Sequence, residues 1–187
     1  LGCRILPSAH LHLTSCLCRL HNSEDRRLEV INDDGSITKT SLTSDPNELN
    51  ITLRSIVGPN DGDDKTLKVV DIYWPVPLLQ RNIVLIDTPG IGERDALTKQ
   101  VVKYVTNASG YIIVIDSSRA GGIQESGIVK LFKEIKVAGK MGSDEKDFSN
   151  VLFVCNKWDT IDRKEREDVW NDTKRKLISY FGSVYDW

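Results

Sequence analysis

Two short polar stretches, each at the end of an apolar run, hold residue types that could do chemistry. In the first, Asn82 to Gly92 reads N-I-V-L-I-D-T-P-G-I-G, so the apolar residues Ile83 to Ile86 lead straight into Asp87-Thr88-Pro89-Gly90. Such a run has the length and branching of a strand buried on both faces, as in a parallel sheet. The polar tetrapeptide then falls where such a strand ends, the edge at which open α/β sheets bind their ligands. Asp87 is placed to hold a magnesium ion through water. Gly90 has no Cβ, so its backbone N–H can approach a terminal phosphate. D-x-x-G by itself is a common pattern, and its weight comes from the second stretch.

That second stretch follows the apolar run Val151 to Cys155 and reads Asn156-Lys157-Trp158-Asp159. A carboxylate at a strand end accepts both the N1–H and the exocyclic N2–H of guanine, whereas adenine has no donor at N1. An unsatisfied polar group in such a site costs about 1–3 kcal/mol, enough to discriminate between the bases. Asn156 would hold the loop and reach the base edge, and the Lys157 stem would lie across the base plane. Alone, the tetrapeptide also fits a strand-to-helix loop with Asp159 or Thr160 as N-cap. Its position downstream of D-T-P-G, with the apolar run Gly110 to Asp116 between them, favours guanine.

The elements that must position these residues follow from periodicity. Leu17 to Leu20 and Leu28 to Ile31 alternate apolar and polar residues, which predicts two edge strands or a hairpin. Asn32 to Gly35, N-D-D-G, predicts a turn. In S-D-P-N-E-L, Asp45 caps a short helix with Pro46 at its first position and Glu48 at the third. Gly58 to Lys65 is a polar loop without the ligand spacing of a calcium site. Leu67 to Trp74 is a strand stopped by Pro75 and Pro77, and Ile83 to Ile86 is expected beside it as an antiparallel neighbour. Ala96 to Ala108 is a helix with Leu97, Val101, Val102 and Val105 on one side. Gly110 to Asp116 and Asn150 to Cys155 are doubly buried strands. Gln124 to Val137 is a helix, Gly139 to Asp147 a charged loop, and Glu165 to Phe181 a helix closed by Gly182. Strands alternating with helices predict an α/β domain with a mostly parallel sheet and helices on both faces.

At 187 residues and a net charge of −2, the chain is long enough for one domain with its own core and lacks the basic balance of a nucleic-acid binder. No stretch reaches the ~18 apolar residues of a membrane-spanning helix. The first residues are too short in apolar run for a signal peptide, and the missing initiator methionine points to a fragment or a processed start. The four cysteines are Cys3, Cys16, Cys18 and Cys155. Cys16 and Cys18 share one face of a strand as buried thiols, without the spacing of a zinc knuckle, and His10, His12 and His21 complete no ligand pattern. This usage suits a reducing, cytosolic compartment.

Together these motifs resemble the P-loop GTPases, and more closely the dynamin superfamily in its mitofusin-like branch. The resemblance rests on Ile5-Leu6-Pro7-Ser8, on His12 and Thr14-Ser15-Cys16, on Trp74-Pro75, on Leu85 to Gly90, and on Asn156 to Asp159 with its Trp. It covers nearly the whole chain and is patchy from Ser23 to Lys65. It implies a P-loop NTPase-type fold and a site for GTP and Mg2+. Thr14 would be the switch threonine, meeting the metal and the catalytic water together with Asp87. Thr88, Pro89 and Gly90 would lie at the γ-phosphate, and Asn156, Lys157 and Asp159 at guanine. It further implies a G-domain homodimer in the full-length protein, membrane contact through other domains, and a cytoplasmic location, peripheral to or anchored on a membrane such as the mitochondrial outer membrane.

Two departures stand against the pattern. G-x-x-x-x-G-K-[ST] occurs nowhere; the nearest approach, Gly139-Lys140, is followed by Met141 and has Glu134 where the first Gly belongs. Residues 1–187 are therefore expected to be a partial dynamin-type GTPase domain, from the switch I region to the helix after the guanine motif, incomplete at both ends. Ile91 follows Gly90, where small Ras-like GTPases place a water-orienting Gln. No residue is singled out as general base, and Glu93 and Asp95 read as solvated loop charges. Two functions follow: the GTP-hydrolysing domain of a membrane-remodelling GTPase, or a non-catalytic remnant that serves as a protein-interaction module. An ATPase is disfavoured by Asn156 to Asp159.

Overall fold

The computed structural model describes residues 16–32, 34–57, 67–89, 95–118, 131 and 150–181, with the backbone alone at 57 and 95–99. The chain divides into two compact units, Leu1–Val101 and Val102–Trp187. The expectations for residues 1–15, Gly58 to Lys65, Gly139 to Asp147 and Gly182 lie outside the described residues. So does the helix Gln124 to Val137, apart from Leu131, which is helical and buried.

The first unit holds β1 (Cys16–Asn22), β2 (Arg27–Ile31), β3 (Ile37–Ser41), α1 (Pro46–Val57), β4 (Lys68–Trp74) and β5 (Val84–Asp87). Its strands form one five-stranded sheet in the order β3-β2-β4-β1-β5. β1 runs parallel to β4, while β1–β5, β2–β3 and β2–β4 are antiparallel. The predicted turn joins β2 to β3: Gly35 takes φ +81°, and its N–H donates to the Asn32 carbonyl at 2.9 Å. β3 itself, I-T-K-T-S, is mostly exposed, and its apolar content was too low to signal a strand. α1 begins as its sequence requires, with the Asn47 N–H donating to Asp45 Oδ1 at 2.9 Å. Glu48 reaches back two residues further than a capping box, accepting from the Thr43 N–H at 2.8 Å and from its hydroxyl.

Period two divides the sheet into unlike faces. One carries Cys16, Cys18, Leu20, Leu28, Val70, Ile72 and Trp74, packed with Leu49 and Leu53 of α1 in the core. Each fully buried leucine here contributes about 1.5–3 kcal/mol. The other face carries charge. Arg19 Nε and Nη2 donate to the two oxygens of Asp71 at 2.6 and 2.5 Å, and His21 Nε2 lies 2.8 Å from Asp71 Oδ1. One strand over, Glu29 Oε1 meets Arg27 Nε at 2.8 Å and Lys39 Nζ at 3.0 Å. Glu29 and Asp71 are register partners; two like charges so placed repel, and each is offset by its own cations. Tyr73 is sandwiched in the next row, stacked on His21 at 4.6 Å with the Arg27 guanidinium 3.6 Å from its ring.

Four expectations need correction here. β1 and β2 are interior strands that do not pair with each other, because β4 lies between them. β4 and β5 are not neighbours either: β1 separates them. The connection from Pro75 to Ile83 contains a 3₁₀ turn at Pro77–Leu79 and positive φ at Arg81 and Asn82, too wide a path for a tight hairpin. Among the described strands β5 lies at the edge of this sheet, and it is not doubly buried, with Ile83 and Val84 exposed. Finally, the sheet is mixed α/β and not mostly parallel, since β1–β4 is the one parallel pairing among its described strands.

α2 (Asp95–Val105) spans the division between the units, and Val101 and Val105 are buried as the periodicity predicts. In the second unit, β6 (Tyr111–Asp116) and β7 (Val151–Asn156) pair in parallel, as expected for strands joined by a long crossover. α3 (Arg166–Phe181) buries Thr173, Leu177 and Phe181, the last 5.2 Å from the Phe153 ring of β7. Burial alternates along both strands. Ile113, Ile115 and Val151 are buried, whereas Ile112, Val114, Leu152 and Val154 are exposed. The apolar runs that read as doubly buried strands thus have a single covered face among the described residues.

Candidate functional site

In the first unit the chain leaves β5 at Asp87. Cys18 is its register partner on β1, so the carboxylate stands at the sheet's edge beside a buried thiol. Asp87 is exposed, Thr88 half-buried and Pro89 buried. Although the residue is exposed overall, desolvation by the groups around it pushes the Asp87 pKa above the ordinary carboxylate value. No hydrogen bond or ion pair to Asp87 occurs among the described residues, so nothing described offsets that cost. A carboxylate of this kind suits magnesium, which takes one or two protein carboxylates and fills its remaining positions with phosphate oxygens and water. Among the described residues no group of three or more His, Cys, Asp or Glu could hold a metal by itself. Thr14 and Gly90 lie outside the described residues.

In the second unit the parallel register aligns Asp116 at the end of β6 with Asn156 at the end of β7, and the Ser117 N–H donates to the Asn156 carbonyl at 3.0 Å. Lys157 follows in a left-handed conformation, φ +59°. Such a conformation costs a non-glycine residue about 1 kcal/mol or more. It is held by Thr160, whose N–H and hydroxyl both donate to the Lys157 carbonyl, at 3.1 and 2.7 Å. The reversal turns the chain out of the strand into a 3₁₀ turn, Trp158–Thr160. Trp158 anchors that turn edge-on to Trp170 of α3, at 6.4 Å between ring centroids. Asn156, Lys157 and Asp159 all remain exposed, and Asp159 makes no hydrogen bond among the described residues. This leaves an open carboxylate facing solvent on a stiff loop, which is what accepting two N–H groups from one base edge requires.

Sequence reasoning missed Asp116. Lys157 Nζ lies 2.8 Å from Asp116 Oδ2, and Oδ1 accepts from the Ser118 N–H at 3.1 Å and from its hydroxyl at 2.5 Å. With the Lys157 ammonium and the Ser118 hydroxyl as its first two causes, the Asp116 pKa is lowered to about 2. A signal was present: G-Y-I-I-V-I-D and N-V-L-F-V-C-N have equal length, so parallel pairing from their starts brings Asp116 beside Asn156. The first unit thus holds Asp87, Thr88 and Pro89 at one strand end, and the second gathers Asn156, Lys157 and Asp159 at another.

The model of the dynamin family matches residues 1–158. Among curated proteins, human Mitofusin-2 is 26% identical over 164 residues, covering 83% of this chain and 19% of that protein. Dynamin-like protein 2 of Campylobacter jejuni is 26% identical over 184 residues, covering 98% of this chain and 27% of that protein. An uncharacterised protein encoded 3′ of xynA in a Caldicellulosiruptor strain is 25% identical and covers 90% of this chain and 38% of its own length. The chain therefore spans well under half the length of these relatives. A solved structure from a bacterial dynamin pair, described as oligomerised and as sensing and tethering membranes over long range, superposes with a TM-score of 0.52 over 90% of this chain and 24% of its own, at 23% identity. That likeness is one of fold.

Proposed function

The chain belongs to the dynamin family, and from that premise we propose that residues 1–187 are part of a G domain that binds GTP with Mg2+ and hydrolyses it by water attack on the γ-phosphate. Asn156, Lys157 and Asp159 read guanine. Asp87 holds the metal through water, with Thr14 as the second ligand and the residue that positions the attacking water. Thr88, Pro89 and Gly90 line the γ-phosphate. Bound magnesium would neutralise charge on the phosphates; the chain's own part is to seat the base, fix the metal's carboxylate and place the water. In the full-length protein this activity serves membrane remodelling from the cytoplasmic side and is coupled to pairing of G domains.

The observation that carries the reading is the Asn156–Asp159 loop. Its backbone is reversed at Lys157, pinned by Thr160 and Trp158, and presents Asp159 unpaired among the described residues. The 187 residues themselves contain no G-x-x-x-x-G-K-[ST]. Without that loop's N–H groups and lysine, most phosphate contacts are lost. The 187-residue chain is accordingly expected to bind GTP weakly and turn it over negligibly. Titration calorimetry with GTP and ATP tests the guanine assignment: GTP should bind better, and Asp159→Asn should remove the preference. Equal binding of the two by the unmodified chain would overturn it. GTP hydrolysis matching that of an intact homologous domain, and abolished by Asp87→Ala, would overturn the expectation of negligible turnover.

A further inference from the structure

Lys157 is fixed at both ends, and the two fixings have different sources. Its backbone is locked left-handed by the two Thr160 donors on its carbonyl. Its ammonium is tied 2.8 Å from Asp116 Oδ2, a carboxylate on the neighbouring strand. Between them runs an apolar stem of four methylenes, the part of a lysine that covers a flat apolar surface while its charge stays in water. A free lysine loses rotamer entropy when its stem is ordered; one already tied at its tip has lost part of it before any ligand arrives.

We propose that Asp116 is a positioning residue for the base site: it holds the Lys157 ammonium so that the stem forms a standing platform for the plane of a guanine. The proposal rests on the guanine reading of the same loop and adds a residue to it. Asp116 itself is held by the N–H and hydroxyl of Ser118, so its second oxygen is aimed before Lys157 meets it. The carboxylate form needed for the pair is secured at any pH near neutrality, since Lys157 and Ser118 both favour it. The two carboxylates of the site then have separate duties. Asp159 reads the donors on the edge of the base; Asp116 never touches the base and acts on its face through Lys157.

That division of labour separates the proposal from a merely structural role. GDP and IDP share a ring plane, but IDP lacks the exocyclic N2–H. Titrations of both into the 187-residue chain, followed by ligand-observed NMR, should show GDP bound more tightly than IDP. Asp116→Asn keeps the side chain's shape and loses its charge. It should weaken GDP and IDP by the same factor, about two- to fivefold as befits a half-exposed pair, with the GDP/IDP ratio unchanged. Asp116→Glu, which can still reach Nζ, should recover most of the loss. Asp159→Asn should instead collapse the ratio. The proposal is overturned if Asp116→Asn binds both nucleotides like the unmodified chain, if its loss is confined to GDP, or if Asp116→Glu rescues nothing. If the unmodified chain binds neither nucleotide, or Asp159→Asn changes nothing, the guanine reading itself fails and the proposal goes with it.

Discussion

Asp87 and Asp116 are both carboxylates at the last residue of a strand, and they are built in opposite ways. Asp87 ends the strand at the edge of the described sheet, has no ion pair among the described residues, and is pushed toward its protonated form by desolvation. Asp116 ends a strand whose parallel neighbour supplies a lysine, and that lysine with Ser118 holds it ionised. The first arrangement leaves a charge waiting for a cation from outside; the second supplies the cation from within the fold. On the proposed reading, an ion brought by a ligand would meet Asp87, and Asp116 would act through Lys157.

The largest test breaks the support under one end and spares the other. Leu20 is fully buried, and its register partner is Leu85 on the strand that carries Asp87. Leu20→Ala should cost about 2–5 kcal/mol, read as a fall in the denaturant midpoint of the first unit. If the midpoint holds, the core face does not support β5 as described. Next in size is the metal itself. With GTP present, substoichiometric Mn2+ should broaden the amide signals around Asp87. Asp87→Asn should abolish that broadening, whereas Asp116→Asn should leave it intact. Broadening that instead follows Asp116 would reverse the assignment of the two carboxylates. A smaller effect is expected from Trp170→Ala, which removes the edge-on support of Trp158. A loss of about 1 kcal/mol in stability should come with weaker guanine binding and unchanged response to Mn2+.

The smallest effect is in pH, and there the two carboxylates have opposite signs. The Asp116 pKa is depressed in the folded chain, so its stabilising contribution is full above the unfolded carboxylate value and is lost as pH falls through about 2. The Asp87 pKa is raised, so the ionised form weighs against the fold, and that penalty is relieved as pH falls through the raised value. Carboxyl carbon shifts recorded on lowering the pH should therefore show Asp87 taking its proton first and Asp116 last. Adding Mg2+ with GTP should delay the Asp87 step and leave that of Asp116 in place. A single common midpoint for both groups would remove the contrast.

Several elements could be read directly from residue types. Pro46 after Asp45 started α1, N-D-D-G turned β2 into β3, and Val101 and Val105 faced inward on α2, because each signal acts within one turn of chain. Strand adjacency could not be read this way. Nothing local to Leu67 to Trp74 or to Ile83 to Ile86 announces that β1 will lie between them. Nor does an unbroken apolar run report whether a second layer covers both its faces, and Ile112 and Val114 show one that does not.

By itself the sequence supplied the side-chain types of the candidate site, D-T-P-G and N-K-W-D, each within a few residues of chain, which no change of topology alters. It also determined that strands, helices and turns would alternate nearly where they do. Only the tertiary structure decided which strand lies beside which, since pairing is settled by a competition among distant edges for hydrogen-bond partners and a shared core. The same competition decided the Lys157–Asp116 pair. Those two residues are far apart in the chain, and only the parallel register of β6 and β7 brings them within one hydrogen bond of each other.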